Sequence, residues 1–121
     1  MSQDFKDRTF RFSMRIVHLI EALPSNVFGE IFGKQLLRCA TSIGANYRAA
    51  CRAKSDKDFL NKMKICEEES DETLYWLELI KHSELLPAAR MQPLISEADE
   101  LCAIITAICK TTAAKLRKLN S

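Results

Sequence analysis

The chain has 121 residues, 47 % apolar and 28 % charged, with a formal net charge of +2. That balance fits one globular domain with a single core and excludes a disordered chain. No window approaches the roughly 18 uninterrupted apolar residues of a membrane-spanning helix. The N-terminal stretch MSQDFKDRTFRF is charged from Asp4 and has no apolar signal core, so a cytoplasmic protein without membrane contact is expected.

Only three Gly and three Pro are present, which predicts long helices with few breaks. Helix one is expected from about Asp7 to Leu23. Phe10, Met14, Val17 and Ile20 form one apolar stripe, widened by Phe12, Ile16, Leu19 and Leu23. An arc this broad needs cover on two sides, in a bundle or at a subunit contact. Pro24 stops the helix.

Helix two is expected over 26–53, capped by Ser25 or Asn26. Its stripe reads Phe28, Phe32, Leu36, Cys39, Ile43, Asn46 and Ala50. Small residues (Gly29, Gly33, Ala40, Gly44, Ala45, Ala49) should let a neighbouring helix come close. Ser55 with Asp58 resembles a capping box and opens helix three, expected over 56–81. The helix-three seam is Phe59, Met63, Cys66, Ser70, Thr73, Leu77 and Ile80. Its polar centre lies level with Ser42 and Asn46, so a buried hydrogen-bonded layer between helices two and three is expected. Helix four is expected over 93–116, with a short turn before it and a seam of Leu94, Ala98, Leu101, Ile105, Ile108, Thr112 and Leu116. Four helices with short links predict an all-α, antiparallel up-down-up-down four-helix bundle.

Charge is unevenly spread. Residues 25–54 carry five basic and one acidic side chains, whereas residues 55–86 carry four basic and nine acidic ones. Oppositely charged faces of that kind suit contacts within the bundle, between subunits or with nucleic acid. Cys39, Cys51, Cys66, Cys102 and Cys109 include no C-x-x-C pair and are expected as free, mostly buried thiols. Neither His18 nor His82 supplies zinc-ligand spacing, and no cofactor is expected.

The run Leu37-Arg38-Cys39-Ala40-Thr41-Ser42-Ile43-Gly44-Ala45-Asn46 resembles the R-A-x-x-S-I-x-x-N signature of small four-helix bundle proteins encoded in intervening sequences of bacterial large-subunit ribosomal RNA genes. That family also includes the accessory variability proteins of diversity-generating retroelements. The similarity continues through Tyr47-Arg48-Ala49-Ala50-Cys51-Arg52-Ala53, the Ser55-x-x-Asp58-Phe59 turn and Glu68-Glu69-x-x-Glu72-Thr73-x-x-Trp76-Leu77-Glu78. It departs where the commoner branch has N-I-A-E-G, which Tyr47-Arg48-Ala49-Ala50 replaces here. The resemblance implies a ring-like homo-oligomer, typically a pentamer. In the retroelement branch it implies binding to RNA or DNA and to a reverse transcriptase. It assigns no catalytic residue. Arg38, Ser42 and Asn46 match family positions expected to form a structural polar network.

Two residue sets remain as candidate sites. Lys34, Arg38, Arg48, Arg52 and Lys54 give helix two a basic face, which a symmetric oligomer would repeat into a phosphate-binding array. The sequence pI of about 8.3 is below the usual footprint of a dedicated binder, above roughly 9. The competing expectation is that these cations pair with the acidic helix three. The second set, Glu68, Glu69 and Glu72 with Glu97 and Glu100, resembles the E-E-x-x-E … E-x-x-D pattern of all-α nucleoside triphosphate pyrophosphatases. Carboxylates a turn apart on facing helices could hold magnesium, although a solvated or ion-paired face is the commoner outcome. No Glu-x-x-His pair for a di-iron bundle, nucleophile triad or phosphate-cradling glycine loop is present. The reading is therefore a non-enzymatic, oligomeric, RNA-associated accessory or scaffold protein, with a protein-interaction module and the magnesium enzyme as alternatives.

Overall fold

Side-chain caps set the ends of the central helices. Asn26 Oδ1 accepts the Gly29 N–H at 2.9 Å, and Ser55 Oγ accepts the Asp58 N–H at 3.0 Å. The Asp58 carboxylate reaches back to the Lys54 N–H at 3.2 Å, so the expected capping box forms with its return bond displaced by one residue. Losing either cap costs about 1 kcal/mol. Glu84 sits in the left-handed region at φ 59°. There the Leu85 N–H reaches the Ile80 carbonyl at 3.4 Å and the Glu84 N–H that of Lys81 at 3.1 Å, the paired bonds of a Schellman stop.

The computed structural model describes residues 2–119. Within them the chain forms α1 (Ser2–Glu21), α2 (Val27–Ala50), α3 (Asp56–His82) and α4 (Ala88–Leu119), with no strand. Two starts differ from expectation. Helix α1 begins five residues early, and its first turns carry Phe5 edge-on against Tyr47 of α2, ring centroids 4.7 Å apart. Helix α4 begins at Ala88 and runs through Pro93. The Pro87 carbonyl receives the Arg90 and Met91 N–H groups. The N–H that Pro93 lacks would have served only the Ala89 carbonyl, on an exposed early turn. Helix α2 ends at Ala50; Arg52 and Ala53 continue in tighter turns bonded to Ala49 and Ala50.

Consecutive helices run antiparallel, as their cross-contacts show. Early α1 meets late α2 at Phe5 and Tyr47. Late α1 meets early α2 at Ile20 and Gly33. Arg38 of α2 pairs with Glu69 and Glu72 of α3. Lys81 bonds Gln92 at 3.0 Å and Lys115 pairs with Asp56 at 3.1 Å, so α3 and α4 also reverse. Arg8 closes the ring from α1 to Glu97 of α4. Phe12, Ile16, Leu19, Leu36, Ile43, Met63, Leu77, Ile80, Leu101 and Ile105 fill the shared core, each contributing about 1.5–3 kcal/mol on burial. Among the described residues no helix is long and apolar enough to cross a membrane.

Part of the expected apolar stripe of two helices lies outside the core. In α1 the Phe12–Ile16–Leu19 stripe enters the core, whereas Phe10 and Met14 remain exposed. In α2 the expected Leu36, Cys39, Ile43 and Ala50 are buried, joined by Gly29, Gly33, Ala40 and Tyr47, while Phe28 stands outside. The small residues win because α1 crosses over them. A Cβ on Gly44 would lie 3.3 Å from Thr9 Oγ1 and one on Gly33 3.2 Å from a Leu23 methyl.

Candidate nucleic-acid interface

Lys34, Arg38, Arg48, Arg52 and Lys54 are all exposed. Helical spacing sets Lys34 and Arg48 nearly four turns apart on one side of α2, about 21 Å along its axis. The five do not act alike. Arg38 is committed to α3, at 3.3 Å from Glu69 Oε2 and also bonded to Glu72. Among the described residues Lys34, Arg48 and Arg52 form no ion pair. The Lys54 amide holds the Asp58 cap while its side chain faces solvent. The basic face is thus split: Arg38 is consumed by the acidic helix, and its neighbours stay free.

Arg48 also stands at the edge of a hollow of about 420 Å³ between α1 and α2, where Phe10, Met14, Val17, Thr41 and Ala45 line the walls. A second hollow of about 330 Å³ continues along the same groove past Leu37 to Lys34. Sequence periodicity alone missed this groove, because Phe10 and Met14 read equally well as core.

The acidic set does not converge. Glu69 and Glu72 lie on Arg38, whereas Glu97 and Glu100 lie on Arg8 at 2.8 and 3.3 Å across a different seam. Glu68 is exposed. No group of three or more His, Cys, Asp or Glu among the described residues is placed to hold a metal ion. Arginines on α1 and α2 have taken the carboxylates that a magnesium site would need. The Arg8 hydrogen bond holds the Glu97 carboxyl below the usual carboxylate range. Burial raises that of Glu69, with Arg38 opposing.

Arg38, Ser42 and Asn46 are not joined into one network. Asn46 Nδ2 donates to the Ser42 carbonyl at 2.9 Å within α2, away from the Arg38 pair. The expected polar layer resolves likewise: buried Ser70 and Thr73 return their hydroxyls to Glu67 and Glu69 carbonyls at 2.9 and 2.7 Å. Short hydroxyls on a helix satisfy themselves on the preceding turn and need no partner across the seam. Cross-helix polar contact there falls to thiols, Cys66 Sγ to the Ile43 carbonyl at 3.6 Å and Cys39 to the Thr73 hydroxyl. All five thiols are free; burial pushes Cys39 up to about 11 and Cys66 up to about 12.

An aromatic run was also not legible as a unit. Phe28, Phe32, Trp76 and Tyr75 stack in sequence with centroids 6.1, 5.8 and 5.2 Å apart. It links the start of α2 to the end of α3.

Comparison with known proteins places this architecture. A crystal structure of a protein of unknown function from the S23 ribosomal protein family of Bacteroides thetaiotaomicron matches with a TM-score of 0.81 and 37 % identity. The match covers 87 % of this chain and 97 % of that one. No curated protein matches the chain. The family model described as 23S rRNA-intervening sequence protein matches residues 2–107, all four helices contributing, and the chain therefore belongs to the 23S rRNA-intervening sequence protein family.

Proposed function

We propose that the protein is a non-enzymatic, homo-oligomeric accessory or scaffold protein that contacts RNA phosphates through the outward cations of α2. The observation that carries this reading is the pair of exposed cations Lys34, on α2, and Arg52, just past its end, neither in an ion pair among the described residues, beside an arginine that is already neutralised. Such cations attract a phosphate backbone by releasing its counterions, without reading bases. Repetition of the face around an oligomer multiplies the field.

The test is anisotropy of a labelled, structured RNA titrated with protein from 50 to 300 mM salt. Binding should weaken steeply with salt. The double variant Lys34→Ala/Arg52→Ala should lower the log–log slope by about 1.4–1.8, at 0.7–0.9 for each phosphate no longer neutralised. Arg38→Ala should leave the slope unchanged, since that side chain already serves Glu69 and Glu72. Absence of binding at the lowest salt would refute the RNA reading. One observation favours the alternative of a protein-interaction module: Arg48 borders an apolar groove, which phosphates do not need.

A further inference from the structure

Two apolar patches stand outside the bundle core, and their rims carry opposite charge. The first is the α1–α2 groove. Phe10 is 58 % and Met14 42 % exposed over the 420 Å³ hollow. Lys6 and Arg48 line it, and neither is in an ion pair among the described residues, whereas Asp7, three residues before Phe10, is held by Gln3 at 3.0 Å. The second patch is the aromatic run, whose two ends, Phe28 and Tyr75, are 58 % and 60 % exposed. Asp71, Glu72 and Glu78 are three or four residues from Tyr75, so they share its side of α3. Asp71 and Glu78 are exposed and form no ion pair among the described residues. Charged groups of one sign left unpaired around a large exposed apolar side chain mark a surface made for a partner of the other sign.

We propose that these patches are the two halves of one contact between copies of this chain. The acid-rimmed Tyr75–Phe28 patch of one protomer seats on the cation-rimmed Phe10–Met14 groove of the next. The proposal rests on the homo-oligomer of the function proposed above and specifies how it is built. Tyr75 is a projecting aromatic supported from behind by Trp76, centroids 5.2 Å apart; the groove is concave and floored by the small residues Thr41, Gly44 and Ala45. Buried aromatics ringed by polar contacts carry most of the binding energy in protein contacts. Because the two halves differ, each protomer offers one of each, and the contact runs head to tail, closing into a ring when the rotation between patches allows. Arg48 then belongs to the seam between protomers, and Lys34, Arg52 and Lys54 are the cations left facing outward.

Light scattering on the full-length chain tests the assignment without RNA. Wild type should have the mass of an oligomer. A groove variant, Phe10→Glu/Met14→Glu, and a knob variant, Tyr75→Arg, should each run as monomers with unchanged helical circular dichroism, since all three side chains are surface-exposed. An equimolar mixture of the two variants retains one intact groove and one intact knob, and should form a two-chain species and nothing larger. Oligomers that survive both variants would overturn the assignment of these faces while leaving the homo-oligomer standing. A mixture that stays monomeric would overturn the pairing of groove with knob. A monomeric wild type would overturn both readings together.

Discussion

The three glycines of α2 offer a graded test of how closely α1 lies against it. Each replacement by Ala should gain about 1 kcal/mol from helix propensity, so any difference among them comes from the space at each position. At Gly29 an added Cβ would stand 2.1 Å from the Pro24 carbonyl oxygen and 3.2 Å from its carbon. That oxygen accepts the Asn26 N–H at 3.0 Å, so the link between α1 and α2 must open to admit the methyl. Overpacking of this kind costs about 1–3 kcal/mol, and the loosened hydrogen bond adds about 1 kcal/mol. Set against the propensity gain, Gly29→Ala should lose about 2 kcal/mol, a fall of roughly 8 °C in Tm at this chain length. At Gly33 the nearest atom is the end of the Leu23 side chain at 3.2 Å, which can rotate aside, and the variant should melt at or slightly above wild type. Gly44→Ala should fall between, because Thr9 backbone lies 3.6 Å away behind its hydroxyl. Thermal and urea unfolding at one fixed protein concentration would measure the series. A Gly29→Ala protein as stable as Gly33→Ala would refute the close packing of the α1–α2 link on Gly29.

Two further outcomes follow from the ionisable groups. Arg8 depresses the folded-state pKa of Glu97, so this pair stabilises the protein above the unfolded carboxyl value of about 4.3 and its contribution is lost as pH falls through the lower folded value. Glu97→Gln should therefore cost about 1 kcal/mol at pH 7, with the difference vanishing towards pH 3 in urea titrations. Burial that lifts Cys39 and Cys66 to about 11 and 12 should leave both unalkylated by iodoacetamide at pH 8. The half-buried Cys51 and Cys102 should label first by peptide mass mapping, and all five should label in urea.

Much of this architecture is legible in local chemistry. Asn26, Ser55 and Asp58 announce their helix starts because a cap is made by residues three or four apart. The helix-three seam is read correctly from Met63 to Ile80, since α3 is covered along one broad face only. The facing of the first turns of α2 is not legible in the same way. Phe28 and Gly29 compete for one inward position, and the close approach of α1 decides it in favour of the glycine. The early start of α1 depends on Tyr47 waiting for Phe5, and no local pattern contains that partner. In the candidate site the basic residues are visible in the sequence, but their division is not: Arg38 differs from Arg48 only through Glu69 and Glu72, thirty-odd residues away. The carboxylates of the supposed magnesium set are likewise separated by Arg8 and Arg38, cations that no spacing rule pairs with them.

The closure of the bundle between α1 and α4 has a kinetic consequence. Every other seam joins helices that follow one another in the chain, across links of a few residues. Loop closure is cheap at those separations, so the α2–α3 and α3–α4 hairpins can form and unite early. The first and last helices must find each other across nearly the whole chain, and Arg8 on Glu97 and Glu100 ties them where they meet. Folding should thus be fast, as in other proteins dominated by local contacts. The slowest native contact to form, and the first to part, is then the one held by charge, which ties the refolding rate of the last step to ionic strength.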